Sequence, residues 1–121
     1  MIMPIEHEDS MEINIQQHKD ITVITLYGEL NSQTSTLAQE QLSPLVMSGC
    51  KIVIDLGAIT YMSSAGLRTL LLLYRQINNA QGQFVVTNLT EMVHDTMQIT
   101  GFLDFFDTYP DINSGLAALE S

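Results

Sequence analysis

From Met11 onward the apolar residues change their spacing about every ten to fifteen positions, switching between a period of two and a helical period. Met11, Ile13 and Ile15 alternate with Glu12, Asn14 and Gln16, as on a half-buried strand. His18, Lys19 and Asp20 make a polar turn before a second β-branched run over residues 21–27. The two runs therefore pair as an antiparallel hairpin, which Gly28 ends. Residues 31–36 are rich in Ser, Thr and Asn, the chemistry of a helix start. They predict a helix of about a dozen residues, with Leu37, Leu42, Leu45 and Val46 inward and a stop near Gly49.

Residues 51–56 form a short continuous apolar strand of the kind buried inside a parallel sheet. A loop is expected over residues 57–63 and a strongly apolar helix over 64–79. Gly82 precedes a strand at 83–87, and a helix at 90–100 has Gly101 placed for its C-terminal cap. Residues 105–109 read as the last strand and 111–120 as a short final helix. The order is β-β-α-β-α-β-α-β-α. Strands that alternate with helices pair mostly in parallel through right-handed crossovers. The expected fold is α/β: a mixed, mostly parallel sheet with an antiparallel hairpin at its edge and about four helices.

A chain of 121 residues has length for one domain, placed at residues 11–121 behind a flexible acidic leader at 1–10. Fourteen acidic side chains against four basic ones give a net charge of −10. That argues against nucleic acid and against direct binding to anionic membranes, because there is little to neutralise phosphates with. The single Cys50 excludes an internal disulfide and any multi-cysteine zinc site. His7, His18 and His94 lack metal-ligand spacing, so neither a metal nor another cofactor is expected. An acidic N-terminus, where a signal peptide would carry Lys or Arg, points to a cytoplasmic protein. Cys50 reads as a buried small side chain, the methionines as core filler, and His94 as a surface residue.

In an α/β sheet, sites lie at the carboxyl ends of strands and at the helix starts that follow them. One junction stands out: Asp55-Leu56, then residues 57–62, then Ser63-Ser64-Ala65-Gly66-Leu67-Arg68. Ser63 or Ser64 can cap the helix. Gly66 in the first turn costs about 1 kcal/mol relative to Ala, so close approach of backbone or a partner must favour it. A phosphoryl group on a serine here would sit at the positive end of the helix dipole. The helix could hold that charge, whereas an interface built around a bare hydroxyl could not. Asp55 reads as a solvated strand end, and Tyr61 and Met62 as anchors of the loop on the core. Nothing resembles a Gly-x-Ser-x-Gly nucleophile elbow or a phosphate-binding glycine loop, so the chain is not expected to be an enzyme. Leu67, Leu70, Leu71, Tyr74 and Ile77 form the inward stripe of the helix. Arg68, Leu72 and Arg75 share its outer face, which reads equally as a solvated face with one stray leucine or as a docking stripe for an acidic, partly apolar partner.

With these residues in place the chain resembles the STAS domain family, the sulfate-transporter and anti-sigma-factor-antagonist family, over about residues 11–120. The landmarks are Leu26-Tyr27-Gly28-Glu29-Leu30-Asn31, Ile52-Val53-Ile54-Asp55-Leu56, Tyr61-Met62-Ser63-Ser64-Ala65-Gly66-Leu67 and Gly101-Phe102-Leu103-Asp104-Phe105-Phe106. The resemblance to stand-alone anti-sigma factor antagonists implies a switch rather than a catalyst. In that family the serine two positions before the motif glycine, here Ser64, is phosphorylated by an anti-sigma factor that is also a GHKL-type serine-protein kinase. Phosphorylation releases the antagonist, and a PP2C-type serine phosphatase restores it.

The implied partner surface combines Asn31, Ser32, Gln33 and Thr34 with Met62, Ser63, Ala65, Gly66, Leu67, Arg68, Leu72 and Arg75. Within it, Gly66 would leave room for the partner's approach. Two positions depart from the common pattern. Ser63 stands where many members carry aspartate, which leaves it as a competing phosphoacceptor, the alternative to Ser64, and Asn31 stands where the loop often carries aspartate. The alternatives are an unphosphorylated STAS scaffold or regulatory subunit of a transporter or secretion system, and a binder of small ligands. Weak homodimerisation could run through the exposed edge of the first strand or through the Arg68–Leu72–Arg75 stripe.

Overall fold

The computed structural model describes residues 11–120, so the expected acidic leader lies outside the described residues. The elements are β1 (Met11–His18), β2 (Ile21–Leu30), α1 (Ser32–Leu42), β3 (Lys51–Met62), α2 (Ser64–Asn79), β4 (Gln83–Thr87), α3 (Glu91–Thr100), β5 (Asp107–Tyr109) and α4 (Ile112–Leu119). The strands form one sheet in the order β1-β2-β3-β4-β5. β1 pairs antiparallel with β2, and the other pairings are parallel. This is the expected mixed α/β sheet.

Each parallel strand is added on the same side of the last. Right-handed crossovers then place the connecting helices α1, α2 and α3 on one face. Alternation along the central strands feeds that face with Ile24, Ile52, Ile54, Phe84 and Val86, which pack with Leu42, Leu67, Leu70, Ile77, Val93 and Met97. The intervening Val23, Val53 and Val85 point the other way, onto Leu119 of α4. Asp111 caps α4 by accepting the Ser114 N–H at 2.8 Å, a bond that holds its carboxyl below the usual range.

Several boundaries depart from the sequence expectation for local physical reasons. Gly28 does not end β2. It adopts φ +106°, and the β2–β3 register shifts beside it, so the strand bends and runs on to Leu30. Residues 57–62 are not a loop but the second half of β3, paired with β2 as far as Leu30↔Met62, whereas pairing with β4 stops at Asp55↔Thr87. α1 ends at Leu42 rather than near Gly49, because Pro44 has no N–H for the Glu40 carbonyl and the chain tightens into a 3-10 turn at Ser43–Leu45. Leu37 is exposed (38%), since the inward face of α1 is formed by Thr34, Ser35, Ala38 and Leu42. Residues 102–105 likewise form a 3-10 turn, which shortens β5.

Other single residues also differ. Leu73 is buried on α2 while Leu71 is half-buried. Cys50 is half-buried, and Met47 and Met92 are exposed. His94 is exposed, as the sequence suggested.

Candidate functional site

The parallel pairing of β2 and β3 builds the site. Their last paired residues are Leu30 and Met62, and each strand is followed at once by a helix cap, Asn31 for α1 and Ser63 for α2. Two helix N-termini therefore start side by side at the carboxyl edge of the sheet. The junction is bonded by the Leu30 carbonyl, which accepts the Ser63 N–H at 3.0 Å.

Asn31 closes a capping box. Its Oδ1 accepts the N–H groups of Gln33 (2.9 Å) and Thr34 (3.0 Å), and the Thr34 hydroxyl accepts the Asn31 N–H at 2.8 Å. The Asn31 amide also donates to Glu29 Oε1 at 3.2 Å. An aspartate here could cap as well but could not make that donation.

Ser63, not Ser64, is the cap of α2: its Oγ accepts the Gly66 N–H at 3.2 Å. Ser64 is the first helical residue, and it is exposed. Its hydroxyl has no hydrogen-bond partner among the described residues, and neither do the first-turn N–H groups of Ser64 and Ala65. A free hydroxyl thus stands beside free backbone donors at the positive ends of two helix dipoles. The two serines, indistinguishable by type, are separated by geometry. One holds the helix and one is available.

Gly66 has a packing role. A Cβ there would lie 2.5 Å from the Leu30 carbonyl oxygen and 2.9 Å from Leu30 Cγ. The close approach that requires glycine is made by the chain's own β2, not by room left for a partner. Met62, Leu67 and Thr34 are buried, so these three expected interface side chains support the surface from below rather than line it. Tyr61, expected to anchor on the core, is 49% exposed. Ser32 and Gln33 are exposed, and Ser63 and Ala65 are half-buried beside Ser64.

Farther along α2, Arg68, Leu72 and Arg75 are all exposed on one face, with Leu72 at 38%. Neither arginine forms an ion pair among the described residues, whereas Lys19 meets Glu120 at 3.8 Å and Lys51 meets Asp20 at 3.3 Å. In a chain of net charge −10, the two arginines of this helix are left to face outward.

Asp55 is a buried residue and not a solvated strand end. Its carboxylate accepts the Gly57 N–H at 2.8 Å and the Asn88 amide at 3.1 Å. It ties the bend in β3 to the end of β4. A composition-based reading had no signal for this pairing, because Asn88 lies on a different strand end. Among the described residues no group of three or more His, Cys, Asp or Glu is placed to hold a metal ion. No helix there is long and apolar enough to cross a membrane.

The STAS domain family profile matches residues 12–115. The chain is similar to BtrV of Bordetella bronchiseptica, assigned by name to the anti-sigma factor antagonists, at 34% identity over 89% of this chain and 91% of that one. A crystal structure of an anti-sigma factor antagonist from Mycobacterium paratuberculosis superposes with a TM-score of 0.85 at 24% identity, covering 97% of this chain and 100% of that one. The Bacillus cell fate determinant SpoIIAA in its phosphorylated form shares the fold, with a TM-score of 0.69 at 16% identity, covering 90% of this chain and 100% of that one.

Proposed function

Because the chain belongs to the STAS domain family, we propose that it is an anti-sigma factor antagonist that works as a phosphorylatable binding switch. The observation that carries this reading is the division of labour between two adjacent serines. Ser63 is spent on the α2 cap, and Ser64 offers an exposed, unbonded hydroxyl at the same helix start. In its unmodified form the chain binds an anti-sigma factor through Ser32, Gln33, Ser64 and the outer face of α2. That partner, a GHKL-type serine-protein kinase in this reading, phosphorylates Ser64, and a PP2C-type phosphatase resets the switch. SpoIIAA, a fold neighbour with a phosphorylated form, supports a phosphate on this scaffold.

A phosphate on Ser64 adds roughly −1.5 to −2 charge. The open N–H groups of the first turn stabilise it, so α2 does not melt. The effect falls instead on the partner, whose surface would have to desolvate a dianion where it previously met a hydroxyl. Release follows from repulsion and desolvation at the interface rather than from refolding.

Arg68 and Arg75 steer the encounter with an acidic surface, and Leu72 contributes apolar contact between them. Reversing both charges (Arg68→Glu with Arg75→Glu) should slow association with the anti-sigma factor by about tenfold or more at low salt, and the deficit should shrink as salt is added. Stopped-flow association rates measure this directly. An unchanged rate would mean that the partner binds elsewhere on the chain.

A further inference from the structure

Among the described residues β1 forms one edge of the sheet, and none of them adds a strand to its outer backbone. At the opposite edge β5 has only three residues, too few to template much pairing. The turn Lys19–Asp20, with Lys19 at φ +58°, fixes which groups of β1 face outward. In a two-residue hairpin the flanking pair, His18↔Ile21, exchanges both backbone hydrogen bonds. Alternation then directs Gln16, Asn14 and Glu12 toward β2. The N–H and C=O groups of Met11, Ile13, Ile15 and Gln17 point away from it.

The usual protections of an edge are missing from this strand. It has no proline, no lysine and no bulge, and its register with β2 is unbroken over all eight residues. Its middle is uncharged, and Ile15 is 42% exposed. The strand is also self-complementary in one register. Antiparallel pairing about Ile15 sets Ile15 against its own copy and Ile13 against Gln17, so outward groups meet outward groups. The closer pairs between them become Asn14 with Gln16, two amides, and Glu12 with His18, an acid and an imidazole. A shift by two residues in either direction shortens the overlap or sets Glu12 against Asp20. His18 already meets Glu120 at 3.2 Å within its own chain, and Glu12 of the second copy would add another carboxylate beside it.

We infer that two copies of the chain join through β1 about a two-fold axis at Ile15, making one continuous ten-stranded sheet. Because the two β1 strands run antiparallel, the Ser64 surfaces face opposite ends of the pair and both stay open. Two copies of charge −10 repel each other, so added salt strengthens the dimer.

Sedimentation velocity across micromolar to near-millimolar concentrations tests the association, and mixed cysteine variants test its register. Asn14→Cys chains mixed with Gln16→Cys chains, all retaining Cys50, should cross-link several-fold more than either variant alone, because a non-hydrogen-bonded cross-strand pair suits a disulfide. Ile15→Lys places two like charges on the axis and should abolish the dimer, with the parent's melting curve retained at concentrations where the parent is monomeric. Ile15→Pro removes an outward N–H without touching the β1–β2 ladder, and should act alike. A monomer at every concentration and salt, a dimer indifferent to Ile15→Lys, or equal cross-linking in all samples would overturn the assignment.

Discussion

Ser64→Asp will weaken binding to the anti-sigma factor by about a hundredfold, roughly 2.7 kcal/mol, while Ser64→Ala will bind as the unmodified chain does. The two substitutions leave the same fold, because Ser64 is exposed and its hydroxyl bonds to nothing among the described residues. Stability and binding should even move in opposite directions. An acidic side chain in the first turn interacts favourably with the helix dipole, by about 0.3–1 kcal/mol. Thermal melts of Ser64→Asp should therefore match or slightly exceed those of the parent, and titration against the anti-sigma factor should show the loss. Equal affinity for the two variants would remove the switch mechanism. Ser63→Ala provides the contrast, since it deletes the α2 cap and should cost about 1 kcal/mol of stability.

Gly66→Ala has the largest expected effect on the fold. On propensity alone alanine would gain about 1 kcal/mol inside a helix. Here its Cβ would press on the Leu30 carbonyl oxygen and on Leu30 Cγ, both closer than van der Waals contact allows. The Leu30 oxygen cannot swing aside, because it belongs to backbone that accepts the Ser63 N–H. Overpacking costs about 1–3 kcal/mol, and a Cβ pressed on fixed backbone lies at the top of that range, so after the propensity gain a net loss of about 2 kcal/mol is expected. For a chain of this size that lowers the melting temperature by roughly 8 °C. Partner binding should fall as well, because the Leu30–Ser63 junction sets the position of Ser64. A glycine kept only to admit a partner would behave differently, giving an unchanged melt with weaker binding.

The succession of strands and helices, and the mixed character of the sheet, were legible because the hydrophobic periods are strong, as in residues 64–79 and 51–56. What the sequence hid were features set by partners distant along the chain. Gly57 reads as a strand breaker until β2 is seen to pair past it, and Gly28 reads as a terminator until its positive φ is seen to bend the strand. Asp55 gives no local hint of burial, because its ligand Asn88 lies 33 residues away. At the site, the resemblance to the STAS family brought Asn31 and the Ser63–Arg68 run into one expected surface, and the parallel pairing of β2 with β3 is what sets the two side by side. The sequence could not rank the two serines as cap and free hydroxyl, nor tell that Thr34 faces inward, although Met62 and Leu67 already read as core-facing. Those distinctions depend on the angle at which α2 leaves β3, which a linear pattern does not encode.

The most direct test of the switch is intact mass with phosphosite mapping on the chain recovered from its own host, before and after phosphatase treatment. The structural account predicts a single phosphate on Ser64 that the phosphatase removes. Phosphate on Ser63, whose oxygen is committed to the α2 cap, or no phosphate under any growth condition, would contradict it.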